Sequence, residues 1–257
     1  MIAGLKDQRL IDERKIWEPE ICSRATLKTG CSAKHLFLLN YSLYTSKIVE
    51  LPLYFLPGCV TRHLLLNPML LMTQGTIDGA QMALAHEKGV AINIGGGFHH
   101  SSRSQSGGFC IYPDITMAVN HLRDHFNVKK HMIIDLDAHQ GDGHERDFID
   151  DEDVHIVDFY NANVFPGDME ARKAIKTEFK VRYQTTDQEY LEKVRTLIVP
   201  AMDSFKPNFI LYNAGTDISS GDPLGQLNIS DDAIIERDEI IISEAISRKI
   251  PILMVLS

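Results

Sequence analysis

The sequence predicts an α/β fold: a mostly parallel sheet with helices on both faces. Three observations support this. From about residue 74 onward, short apolar runs alternate with segments whose apolar residues recur at helical spacing, as in strand–helix–strand units with right-handed crossovers. Residues able to do chemistry fall just after those runs, and parallel sheets bind ligands outside the carboxyl ends of their strands. The 257 residues suit one such domain better than two small ones.

Taken in order, residues 1–20 are charged and helix-like, without site chemistry. Residues 21–72 are the least patterned. Leu36-Phe37-Leu38-Leu39 and Leu51 to Leu56 are apolar runs, the second interrupted by Pro52 and closed by Pro57; extended segments and turns are expected there. Thr76 to Lys88 carries Ile77, Ala80, Ala83 and Leu84 at helical spacing and stops at Gly89. Val90 to Ile94 reads as a strand, followed by Gly95-Gly96-Gly97-Phe98-His99-His100. Gly107-Gly108 precede Phe109-Cys110, and Asp114 opens a helix with Ile115, Ala118, Val119 and Leu122 on one face. Strands are expected at 132–137 and 154–159, the latter followed by Asn161 and the turn Phe165-Pro166-Gly167-Asp168. Thr186-x-x-Glu189 is a capping box for a helix to about Met202, which Pro200 should kink or end. A fourth strand at 209–212 leads to Asn213-Ala214-Gly215-Thr216-Asp217. Ser230 caps a helix to about Arg248, and a fifth strand covers 252–256.

Composition narrows the function. Lys and Arg total 26 against 35 Asp and Glu, a net charge of −9. That disfavours nucleic-acid binding through a basic surface but not a basic protein partner. The cysteines at 22, 31, 59 and 110 form no Cys-x-x-Cys pair, and no secretory leader is seen, so reduced thiols inside the cell are expected. Cys22, Cys31 and His35 do not have a usual zinc-ligand spacing. The apolar stretch from His63 to Met72 is too short, and broken by Pro68, to span a bilayer.

The centre of the chain is Asp135-Leu136-Asp137-Ala138-His139-Gln140-Gly141-Asp142-Gly143-His144. Side chains two apart at the end of a strand share a face. Asp137 and His139, joined by Asp217, offer two oxygens and one nitrogen, a set that suits zinc or another first-row divalent ion. Adjacent His99 and His100 could move a proton, with Asp135 and Asp142 as the carboxylates that fix their tautomers. The reaction class is metal-assisted hydrolysis of an amide or related carbon–nitrogen bond. Singly, each feature has a plainer reading: a solvated acidic turn, a polar loop pair, an Asx-turn at Asp217, core packing for Phe109 and Phe165. Together they fall at one edge of one sheet.

These motifs, with Gly221-Asp222-Pro223-Leu224-Gly225, resemble the zinc-dependent histone deacetylases. The Gly-Gly-Gly-Phe-His-His and Asn-Ala-Gly-Thr-Asp forms look most like class IV, the histone deacetylase 11 branch. The resemblance is dense from about Gln74 to Ser257 and faint before residue 50. It implies a three-layer arginase/deacetylase-like α/β fold, residues 1–257 being a single deacetylase domain incomplete at both termini. It further implies zinc held by Asp137, His139 and Asp217, and His100 as principal general base and acid. His99 would be the second histidine, with Asp135 behind it and Asp142 behind His100. Gly108, Phe109 and Phe165 would line the acyl-lysine channel. Potassium near the central stretch is a further implication, as are acylated lysines of histones or other proteins as substrates and a nuclear or cytoplasmic location. The family carries a Gly-Gly-Tyr shortly after the last strand, whose tyrosine helps hold the oxyanion, and this sequence stops at Ser257 where it would begin. Losing one such donor costs about 10²–10³ in rate, so impaired turnover is expected. Two other readings remain: a non-catalytic relative that binds acyl-lysine or partner proteins, and a binuclear manganese hydrolase, which the placing of Asp142 three after His139 disfavours.

Overall fold

The buried β-branched runs become strands in a computed structural model that describes Asp12 and residues 15–257. The strands are β1 (Val90–Asn93), β2 (His131–Asp135), β3 (Val154–Asn161), β4 (Ile175–Val181), β5 (Phe209–Asn213) and β6 (Ile252–Val255). They form one sheet in the order β1-β6-β5-β2-β3-β4, every pair parallel. The principal helices are α1 (Arg24–Gly30), α2 (Ala33–Leu38), α3 (Ser42–Val49), α4 (Asn67–Ala85), α5 (Asp114–Phe126), α6 (Asp142–Asp147), α7 (Asp187–Lys193), α8 (Val199–Phe205) and α9 (Asp231–Ser247).

Alternate strand residues feed two cores. Met132, Ile134, Ile210, Tyr212 and Ile252 pack with Tyr190, Met202 and Ile241 from α7, α8 and α9. Ile133, Leu211, Leu253 and Val255 face the other way and pack with Ala80 and Ala83 of α4 and Ile115, Val119 and Leu122 of α5. Helices therefore cover both faces, as parallel strands require. A third cluster, with Leu27, Ile48, Leu66, Leu70, Ile111 and Met117, seats the N-terminal helices on α4 and α5.

Four expectations need correction. Leu36-Phe37-Leu38-Leu39 is not extended: it lies in α2 and its C-cap, because Ser32 accepts from the His35 amide and caps the helix. Leu51 to Leu56 does hold a turn, a 3₁₀ turn at Leu53–Phe55. The helix expected from Thr76 starts at Asn67 and ends at Ala85, preceded by a short turn at Gly58–Thr61 and a π-helical turn at Arg62–Leu66. Pro68 sits in its first turn, where no amide donor is needed. A sixth strand, β4, was not foreseen. Ile175, Thr177, Phe179 and Val181 alternate with Lys176, Glu178 and Lys180, the half-exposed pattern of an edge strand. Pro200 does not end its helix either: the helical run continues from α7 through a π-helical turn at Val194–Ile198 into α8, which reaches Phe205 with Pro200 in its first turn. The charged helix expected over 1–20 falls mostly outside the described residues, and Ile16–Glu20 carry no regular structure.

Two residues of this frame give measurable expectations. Phe159 is fully buried, edge-on to Phe179 at 5.3 Å and Tyr190 at 6.2 Å. Phe159→Ala should cost about 3–5 kcal/mol in urea unfolding, the transfer loss plus the cavity left behind. His131 is also buried; its Nε2–H donates to the Val128 carbonyl at 3.1 Å and its Nδ1 has no partner. Burial pushes its pKa down to about 4, so the unfolded chain takes up the proton first as pH falls. Stability from this residue is present above about pH 6.5 and is lost progressively towards pH 4. The drop should be on the order of 2–3 kcal/mol, and His131→Gln, which keeps a donor, should remove it from the pH profile of the urea midpoint.

Candidate active site

All the singled-out side chains lie at the carboxyl edge of the sheet. After β1 the chain turns through Gly96 and Gly97, both at positive φ. The buried carboxylate of Asp114 fixes this turn, accepting from the Gly97 and Phe98 amides at 2.9 Å and from the Thr76 hydroxyl at 2.6 Å. The turn carries His99 and His100 across β6 and β5 to the end of β2. There His99 Nδ1 meets Asp135 Oδ2 at 3.0 Å, and His100 Nδ1 meets Asp142 Oδ1 at 2.7 Å. Asp142, the first residue of α6, is also paired with Arg146 at 2.6 Å.

Asp135 has four donors. Oδ2 takes His99 and, at 2.8 Å, His144 Nε2; Oδ1 takes the Asn213 side-chain amide at 2.9 Å and the Asp137 amide at 3.3 Å. The sequence alone does not single out His144, Asn213 or Arg146. His144 and Asn213 lie inside the quoted motifs, while Arg146 reads as a solvated helix charge.

Asp137, His139 and Asp217 come together as a possible metal-binding group, the only one found among the described residues, with their ligand atoms within 4.8 Å of one another. His139 Nδ1 lies 3.1 Å from Asp137 Oδ1 and 2.8 Å from Asp217 Oδ2. The other Asp217 oxygen accepts from the Ala138 amide at 2.8 Å, and the Ser257 hydroxyl donates to Asp137 Oδ2 at 3.0 Å. This set of two carboxylates and one imidazole, with further lone pairs already held by donors, fits a zinc-sized divalent ion. Close approach of the strands makes the cluster possible: a Cβ on Gly215 would sit 2.5 Å from Asp137 Cα.

The electrostatics follow from burial and neighbours. Burial works against a charged His99, but Asp137 and Asp135 outweigh it and hold the ring's pKa up at about 10. Burial, then repulsion by His99, takes His100 down to about 4, leaving it neutral near pH 7. His139 is raised to about 9 because Asp137 and Asp217 outweigh its desolvation. Burial raises the carboxyls of Asp135 and Asp137, but the facing imidazoles prevail and both end well below the usual carboxylate range.

A cavity of about 540 Å³ opens over this cluster, lined by Gly108, Phe109 and Phe165 among others. The Phe165 ring stands edge-on to His100, centroids 4.9 Å apart. Gly108 has φ +50° and its missing Cβ would fall 2.3 Å from His100 Cδ2, so only glycine lets the wall approach the imidazole. Both phenylalanines are about half exposed, at 49% and 48%, which places them on a wall and not in the core. A more open groove between Arg195 and Glu239 lies far from these groups on the outer helices.

Known proteins share this architecture. A crystal structure of the HDA15 HD domain superposes with a TM-score of 0.76 over 99% of this chain and 73% of that one, at 17% identity, which establishes an arginase/deacetylase-like fold. "Histone deacetylase 2" of Arabidopsis thaliana is 41% identical over 248 residues, covering 96% of this chain. The chain spans 64% of that protein's length. The acetoin utilization protein AcuC of Staphylococcus aureus is 35% identical over 167 residues, 60% of this chain and 43% of that protein. The histone deacetylase domain family matches residues 1–257. By its fold, its sequence relatives and this full-length match, the chain belongs to the histone deacetylase domain family.

Proposed function

We propose that the chain is a zinc-dependent hydrolase of the Nε-acyl amide of lysine in histones or other proteins, closest in type to class IV deacetylases. The observation that carries the reading is the convergence of Asp137, His139 and Asp217 beneath the cavity, beside two histidines each backed by its own carboxylate. Asp137, His139 and Asp217 would hold the ion, which when bound polarises the amide carbonyl and acidifies the attacking water. His100, neutral and oriented through Nδ1 by Asp142, accepts the water's proton on its other ring nitrogen and passes one to the leaving lysine amine. His99, anchored by Asp135, donates to the developing oxyanion. Gly108, Phe109 and Phe165 give the lysine stem an apolar passage that keeps bulk water off the reacting bond. The reading extends to potassium near the central stretch and to a nuclear or cytoplasmic location. Among the described residues no helix is long and apolar enough to cross a membrane.

Purified chain should hold about one zinc and hydrolyse an acetyl-lysine peptide. Chelation should abolish the hydrolysis, and added zinc should restore it. Two manganese ions per chain, or hydrolysis indifferent to chelation, would contradict the proposal.

A further inference from the structure

Arg237, on α9, is a charged side chain with no exposed surface. A permanent cation at that depth is costly unless its donors are used. Its Nη1 donates to two backbone carbonyls, Gly215 at 2.9 Å and Leu136 at 3.2 Å. Leu136 immediately precedes Asp137, and Gly215 lies two residues before Asp217. The guanidinium thus joins the two segments that carry the carboxylates, at the place where Gly215 passes closest to Asp137. Its own orientation is set by Asp238, which accepts from Nε at 2.8 Å and also from the Tyr212 hydroxyl, and by the Tyr212 ring 5.8 Å away.

We infer that Arg237 is a positioning residue for the metal centre, clamping the loop after β2 to the loop after β5 so that Asp137 and Asp217 address one ion. It touches neither ion nor substrate and acts through the two carbonyls. A hydrophobic residue of similar length fills the space but leaves both carbonyls without their shared donor. Lysine keeps the charge but lacks the separate Nε–H by which Asp238 orients the rigid guanidinium while Nη1 reaches both carbonyls.

The inference rests on the zinc site proposed above, and the test separates the two. Zinc affinity of the full chain is measured by competition with a chromophoric chelator, at a temperature where circular dichroism shows each variant folded. R237K and R237M should weaken zinc binding about 10–100-fold, the cost typical of losing an outer partner of a metal site, with R237K the milder. Asp238→Asn, which leaves the cation but loosens its orientation, should weaken binding several-fold. If Arg237 merely supports the fold, the variants melt lower by the same amount with and without zinc, and the affinity of folded protein is unchanged; that result overturns the inference. Should neither Arg237 variant fold, Asp238→Asn decides alone, unchanged affinity again being fatal. Failure of the unaltered chain to bind zinc sinks the site reading and this inference together.

Discussion

His100→Ala should lower hydrolysis of an acetyl-lysine peptide by about 10²–10⁴-fold, the span attributable to one positioned proton-transfer group. Zinc stoichiometry should not change, because His100 is paired with Asp142 and lies outside the Asp137–His139–Asp217 cluster. The loss should appear in kcat more than in KM, since Phe109 and Phe165 still line the cavity. A variant retaining full turnover would remove His100 from the chemistry and favour His99 as the group that moves the proton.

Asp137→Ala should be as damaging by another route. The carboxylate is one of three ligand groups and also accepts from the His139 amide at 2.9 Å, holding that imidazole toward Asp217. Its removal takes a ligand and loosens a second. Zinc affinity should fall by more than the ~100-fold upper range for an outer-shell loss, and elemental analysis after gel filtration should find little bound metal. Retention of one tightly held zinc by Asp137→Ala would mean the ion sits elsewhere.

Much of the layout is legible in the sequence. Hydrophobic periodicity located five strands, and the glycines and polar residues following them marked the sheet edge where His99, His100, Asp135, Asp137, His139, Asp142 and Asp217 now lie. Three things were hidden, each for a physical reason. β4 alternates polar and apolar residues because it pairs only with β3, and a search for continuous buried runs passes over it. The α2 segment looks extended because four apolar residues in a row show no helical period; its cap at Ser32, not its periodicity, sets it as a helix. Arg237 lies in an amphipathic helix among Glu236, Asp238 and Glu239, where a charge ordinarily means solvent. Only tertiary packing reveals that this charge points inward to Leu136 and Gly215.

The sheet order has a consequence for the sequence of assembly. Among the described residues β6 is the latest strand in sequence, and it lies between β1, the earliest, and β5. Until β6 docks, β1 has no strand beside it, and the histidines that follow β1 have no fixed relation to the carboxylates that follow β2 and β5. Pairings over shorter separations can join β2, β3, β4 and β5 first, whereas β1 and β6 meet across the longest sequence separation among the described strands. During synthesis, these histidines and carboxylates would therefore come into register only after β6 has left the exit tunnel. Until then Leu253 and Val255 cannot fill the gap beside Leu211, and a nascent chain would present that gap to chaperones.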